Sequence, residues 1–156
     1  MFKPDFSTRN WIGDHLKAYL EDGESARLID MTAAGGPAET PTLVLRTKGR
    51  KSGRTLLSPL IYGEAGDEKV LIASKGGAPE HPAWFLNLEA EPQVEYKLGD
   101  ECWRAVARIV EGPEREQLWR MMAEVYPPYD EYQARTDRHI PLIALKPVER
   151  IEKLSD

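Results

Sequence analysis

The apolar positions of this chain follow two periods. Near residues 10–22, Trp11, Ile12, Leu16, Tyr19 and Leu20 recur at the three-to-four-residue spacing of a helix, and Glu21-Asp22-Gly23 ends it. This face points inward in the pattern, which leaves His15 on the polar side with a solvated ring. Residues 32–41, rich in Ala, Gly, Pro and Thr, predict a connecting loop after an N-terminal helical segment at 1–31. Too little chain precedes that loop to fold alone, so the pattern predicts one domain over residues 1–156.

From there the period shortens. Residues 42–47 predict a strand and 56–62 its hairpin partner. A polar turn at 64–68 leads into a third strand at 69–74, and a short helix at 82–88 has Pro82 near its first turn. Residues 93–98 and 102–110 predict a second hairpin around Gly99-Asp100. Gly112-Pro113-Glu114 opens a helix to about residue 125, whose acidic start suits the helix dipole. Its Leu118, Met121, Met122 and Val125 read as core rather than as a cofactor box. A short helix at 129–137 and a final strand at 140–145 complete the pattern. Strands outnumber helices and are joined by short turns, which predicts an α+β domain on a mainly antiparallel sheet, closing into a small barrel with flanking helices.

Bulk composition adds limits. Apolar residues make up 41% and charged residues 30%, ordinary for a globular protein. The start of the chain has no apolar signal region, and no run is long enough for a membrane span. The single Cys102, beside Trp103 in a strand pattern, reads as a buried structural thiol and suits a reducing cytoplasm. The formal net charge is −5, which argues against general nucleic-acid binding.

Charge distribution changes the picture locally. No acidic residue lies between Glu39 and Glu64, whereas Arg46, Lys48, Arg50, Lys51 and Arg54 all do. Gly49 and Gly53 punctuate that cluster. It reads either as a solvated hairpin turn or as a specific site for a small polyanion. The stretch Ala73-Ser74-Lys75-Gly76-Gly77-Ala78-Pro79 directly follows a strand. It is either a plain exit loop or a place where backbone amides approach a ligand closely. Tyr126, Tyr129 and Tyr132, at i, i+3 and i+6, form either a packing ridge or an aromatic wall carrying hydrogen-bond donors.

Other chemistry has no support. His15, His81 and His139 have no metal-binding spacing, so no metal is expected. There is no Gly-x-Ser-x-Gly elbow and no Gly-x-Gly-x-x-Gly after a strand, and residues 49–53 match a phosphate loop only loosely. A catalytic role for such a chain requires a borrowed cofactor.

Taken in order, four segments resemble the deazaflavin (F420)-dependent nitroreductase and F420H2-dependent quinone reductase family. They are residues 47–53 (Thr47-Lys48-Gly49-Arg50-Lys51-Ser52-Gly53), 73–77, 81–88 (His81-Pro82-Ala83-Trp84-Phe85-Leu86-Asn87-Leu88) and 126–141. The resemblance runs from about residue 42 to 147. It implies a split β-barrel related to FMN-binding pyridoxamine-phosphate oxidases. It also implies that reduced F420 is the hydride donor to a small, electron-poor acceptor such as a quinone, a nitro compound or an α,β-unsaturated carbonyl. By the same resemblance, Lys48, Arg50, Lys51 and Arg54 hold the anionic phosphate and polyglutamate tail. Ser58, Pro59, Ala73, Ser74, Lys75, Gly76 and Gly77 line the ring and its linker, and Trp84 and Asn87 close the cleft. Tyr126, Tyr129 and Tyr132 form the substrate pocket, and Ser74 joins them as a candidate for stabilising charge on the acceptor. An FMN enzyme of the same fold and a non-catalytic F420 carrier are the competing readings. Some relatives have a longer amphipathic N-terminal segment; here Asp14, Lys17, Glu21 and Asp22 on a short helix favour a soluble enzyme without stable membrane insertion. The exposed faces of a split barrel leave room for a homodimer.

Overall fold

The computed structural model describes residues 1–156. Helix α1 (Trp11–Glu21) runs into the single turn α2 (Gly23–Ala26), where the Asp22 side chain accepts a hydrogen bond from Ser25 N at 3.2 Å. The buried residues of α1 are His15 and Tyr19, while Ile12 and Leu20 are 50% and 47% exposed. The inward face is therefore rotated from the one the apolar pattern predicts, and His15 is not solvated. Hydrogen bonding explains the difference. His15 Nε2–H donates to Ala26 O at 2.9 Å, and Tyr19 Oη donates to Thr42 O and accepts from Gly99 N, both at 2.9 Å. Each buried polar atom so paired escapes the cost of losing water.

The region expected to be a loop at 32–41 holds more structure than its composition indicates. Strand β1 (Leu28–Ile29) precedes it, and β2 (Thr40–Lys48) begins inside it. Ile29 pairs with Thr40 and Leu28 with Pro41. The hairpin of β2 with β3 (Thr55–Ile61) pairs Thr42 with Ile61 at one end and Lys48 with Thr55 at the other. β3 pairs with β2 alone, an edge position that tolerates Pro59. The expected polar turn after β3 is itself a small hairpin, β4 (Gly63–Ala65) with β5 (Glu68–Ile72). Helix α3 (Ala83–Ala90) then leads to the hairpin of β6 (Gln93–Leu98) and β7 (Glu101–Ile109). Helices α4 (Gly112–Val125) and α5 (Pro128–Ala134) precede β8 (Leu142–Ile151). β8 extends beyond the expected strand because its polar second half pairs with β7 as far as Cys102 and Ile151, through an irregularity at Arg104/Ala105.

All the strand ladders are antiparallel, in the order β1-β2-β6-β7-β8-β5-β4 with β3 added to β2. Alternation explains why this curled sheet has two cores. Leu71, Ile143 and Leu145 point to the inside with Leu43, Leu45, Phe85 and Tyr96. Val70, Ile72, Leu142 and Ala144 point to the opposite face, covered by Met122, Tyr126 and Tyr129. β5 and the first half of β8 are thus buried on both faces, which is why they read as continuous apolar runs. No helix is long and apolar enough to cross a membrane.

Candidate functional site

The chain leaves β5 through a loop whose backbone is unusual. Lys75, Gly76 and Gly77 have φ of 46°, 64° and 82°. Lys75 is the one non-glycine residue with positive φ, a conformation that costs about 1–2 kcal/mol. The turn closes through Gly77 N to Ser74 O at 2.9 Å and Ala78 N to Lys75 O at 3.1 Å. Successive positive-φ residues form a concave strip of backbone suited to a closely approaching ligand.

Arg138 holds this loop from behind. Its Nε donates to Ala78 O at 3.0 Å, one terminal nitrogen donates to Ala73 O at 3.1 Å and His81 Nδ1 at 2.8 Å, and the other donates to Ser74 O at 2.7 Å. His81 Nδ1 must accept, so the ring is neutral. Burial and the neighbouring guanidinium both hold its pKa below the ordinary histidine range.

The tyrosines cluster, though not along one helix as their spacing predicts. Tyr126 caps the end of α4, and Tyr129 and Tyr132 lie on α5 after the break at Pro127-Pro128. Ring centroids stand 5.1 Å apart for Tyr126–Tyr129, 6.2 Å for Tyr126–Tyr132 and 6.3 Å for Tyr129–Tyr132, with tilted or edge-on planes. Trp119 Nε1 donates to Asp130 at 2.8 Å and ties the two helices together. The hydroxyls of Tyr126 and Tyr132 lie 3.1 Å apart. Tyr129 is 4% exposed, and its side chain lines the space beside β3 without a hydrogen bond to the protein. Burial raises the pKa of both Tyr126 and Tyr129 above the usual phenol value, with the Tyr132 contact adding to the effect at Tyr126. Both are therefore neutral hydrogen-bond donors at ordinary pH.

Loop, tyrosines and β3 enclose one cavity of about 460 Å³. Of the residues expected at a site, Ser58, Pro59, Ser74, Lys75, Gly76, Trp84, Tyr126, Tyr129 and Tyr132 line it. Most of the wall is apolar, with Ile29, Met31, Leu57 and Ile72 among its members. Ser74, Tyr129 and Trp84, whose side-chain donors make no hydrogen bond to the protein, line this space. An apolar cavity with a few unpaired polar groups fits a planar, partly polar ring system. Trp11, Ile12 and His15 of α1 also line it, although the sequence pattern places Trp11 and Ile12 on an inward apolar face and His15 on the polar side, with none of them at a site. Burial depresses the pKa of His15, so this wall is uncharged.

Ala73 and Gly77 complete the loop without lining the cavity. Ala73 is fully buried, and a Cβ built on Gly77 would meet Tyr132 O at 2.7 Å and Tyr132 Cα at 3.1 Å. Gly77→Ala is therefore expected to destabilise the fold by about 2 kcal/mol, combining strain with displacement of α5. Gly76→Ala, facing open space, should cost only about 1 kcal/mol. Thermal unfolding of the two variants decides this, and equal losses would rule out the Gly77–Tyr132 contact.

Helix α3 joins the cavity to the basic turn. Trp84 lines the cavity, and Asn87, nearly one turn further on, points away from it. Asn87 Oδ1 accepts from Arg50 N at 3.1 Å and from the Arg50 guanidinium at 3.2 Å, and its Nδ2 donates to Thr47 Oγ1 at 3.1 Å. The turn is further closed by Gly49 N to Arg54 O at 2.7 Å. Lys48, Arg50, Lys51 and Arg54 are exposed and pair with no carboxylate. Arg46, the fifth cation of the segment, is turned away and lies 3.9 Å from Glu95. Asn87 thus anchors, through Thr47 and Arg50, a turn that carries four unneutralised cations, a surface suited to a polyanion.

A second hollow of about 710 Å³ lies over Glu111, Arg115, Glu116, Trp119 and His139. It is an open, charged groove with a single apolar lining residue, and its Arg115 is occupied by His139 Nε2 at 3.0 Å and Ile140 O at 2.6 Å. It is more open than the first and lacks its apolar wall.

The sequence profile of the family described as F420H(2)-dependent quinone reductase matches residues 24–147. An F420H(2)-dependent quinone reductase of Mycobacterium tuberculosis (strain ATCC 25618 / H37Rv) is 37% identical over 112 residues, 70% of this chain and 75% of that protein. A solved F420-H2 dependent reductase superposes with a TM-score of 0.64 at 42% identity, covering 68% of this chain and 94% of its own. A structure described as a domain-swapped dimer reaches 0.65 at 36% identity, covering 88% and 98%. A haem storage protein from Vibrio cholerae, at 20% identity and a TM-score of 0.54, is similar in fold alone.

Proposed function

The chain belongs to the F420H(2)-dependent quinone reductase family, and on that premise we propose that its 460 Å³ cavity holds the deazaflavin ring and passes hydride to a quinone. The chain is an F420-dependent reductase on a split β-barrel, with reduced F420 as its cofactor. The observation that carries the site reading is the pairing, through α3, of an apolar cavity holding unpartnered donors with a turn of four unneutralised cations. A ring with an anionic tail needs both, side by side.

Reduced F420 supplies a hydride and a proton when bound, and a quinone that takes both becomes a hydroquinone. The chain's part is placement and electrostatics. Lys48, Arg50, Lys51 and Arg54 hold the tail. Loop residues Ser74, Lys75 and Gly76 and β3 residues Ser58 and Pro59 border the ring. Trp84 and the apolar wall exclude water, which strengthens every hydrogen bond inside. Negative charge builds on the quinone oxygen as hydride arrives. The hydroxyls of Tyr129 and Ser74 are free to donate to it, and Tyr132 orients Tyr126 through their shared hydrogen bond. A second copy of the chain is the expected protein partner, a reading supported by the domain-swapped dimer formed by a relative.

Anaerobic mixing of the protein with F420H2 and a water-soluble quinone, a nitro compound or an α,β-unsaturated carbonyl in turn tests this. Oxidation of F420H2 in step with hydroquinone formation, fastest with the quinone, is expected. Turnover with a nitro compound or enone but not with the quinone would overturn the choice of acceptor.

A further inference from the structure

Arg138 has no acidic partner, yet each nitrogen of its guanidinium is hydrogen-bonded. It binds the carbonyls of Ala73, Ser74 and Ala78 at 3.1, 2.7 and 3.0 Å and the His81 ring at 2.8 Å. Three of these partners bracket residues 75–77, where the left-handed backbone of Lys75 persists only because its surroundings fix it. Arg138 is itself fixed to the tyrosine helix, because Gln133 Nε2 donates to Arg138 O at 2.8 Å while Gln133 Oε1 accepts from Ile140 N at 3.1 Å. A rigid link therefore runs from α5, which carries Tyr129 and Tyr132, through Gln133 and Arg138 to the carbonyl of Ser74.

We propose that Arg138 is the positioning residue of this site, holding Ser74 and the loop behind it in register with the tyrosine wall. The proposal rests on the reading that the loop borders the deazaflavin ring. Arg138 touches neither ring nor acceptor; it acts through Ser74. The planar fork of arginine suits several carbonyls at once, whereas the single ammonium of lysine reaches one or two. Affinity for F420 depends mainly on the basic turn, so loosening the loop should affect alignment more than binding.

The test uses Arg138→Ala and Arg138→Lys with three readouts. Cleavage after Lys75 by a lysine-specific protease, in protein free of F420, should be about 10-fold faster in Arg138→Ala, because it follows the population of the opened loop. The single-turnover rate of F420H2 oxidation at saturating F420H2 should fall about 100-fold, the scale of a misplacement near one ångström. F420 affinity should fall less than about 5-fold. Arg138→Lys should lie between wild type and Arg138→Ala in both cleavage and rate, and it keeps the proposal open to refutation if the alanine variant does not fold. A variant that melts earlier but, per folded molecule, keeps the wild-type saturated rate would show a purely structural arginine and overturn the proposal. Unchanged cleavage at Lys75 would overturn it as well. Failure of the wild-type protein to oxidise F420H2 would remove the site reading and the positioning role with it, while the cleavage result would still report whether Arg138 clamps the loop.

Discussion

Replacing Lys48, Arg50, Lys51 and Arg54 together by alanine is expected to weaken F420 binding about 100-fold at low salt. The four side chains are exposed and pair with no carboxylate, so their charge is available to a ligand rather than spent within the fold. Each exposed charge contact contributes about 0.7 kcal/mol, and four give about 3 kcal/mol, or roughly two factors of ten in affinity. Because these are exposed charges, raising the salt should erode wild-type affinity toward that of the variant. The cavity is untouched by the substitutions, so a deazaflavin lacking its phosphate and glutamates should bind wild type and variant alike. Fluorescence titration at two salt concentrations with both ligands checks this. An equal loss for the full cofactor and the tail-less ring would show that the turn acts through folding, and no loss would remove the tail from this surface.

Tyr129→Phe should lower turnover about 100-fold while leaving F420 affinity unchanged, the signature of a donor that matters only as charge develops. Its effect on stability should be small. The Tyr129 hydroxyl makes no hydrogen bond in the protein, and its residue lines the cavity. Removing it takes away an unpaired polar group and keeps the ring contacts at 5.1 and 6.3 Å to its tyrosine neighbours. Thermal unfolding should thus change by less than about 0.5 kcal/mol. Tyr126→Phe differs, since it breaks the 3.1 Å contact with Tyr132. Stopped-flow oxidation of F420H2 alongside a melting curve separates the cases. A Tyr129→Phe protein that is less stable and retains full turnover would make this tyrosine a packing residue.

What the sequence conveys here is mainly what periodicity and turn chemistry convey. The hairpins β2/β3 and β6/β7 are legible because apolar runs are interrupted by Gly and Asp at the turns. The second half of β8 is not, since Lys146, Val148, Glu149 and Arg150 carry no alternating apolar signal and are held by ladder bonds and exposed ion pairs such as Arg104–Glu149 at 2.9 Å. His15 defeats a helical pattern that counts histidine as polar, because its partner, Ala26 O, lies in the next helix. The basic turn and the loop after β5 stand out by composition. That α3 links them through Asn87, and that Arg138 grips the second of them from across the site, depends on pairs 37 to 65 residues apart. No local pattern encodes such distances.

Amide hydrogen exchange of the protein with and without saturating F420 tests most directly whether cavity and basic turn hold one cofactor between them. New protection is expected in two separate stretches, residues 47–54 and 73–78, and none at the charged groove of Glu111, Arg115 and His139. Protection at that groove, or at only one of the two stretches, would contradict a single cofactor held by both.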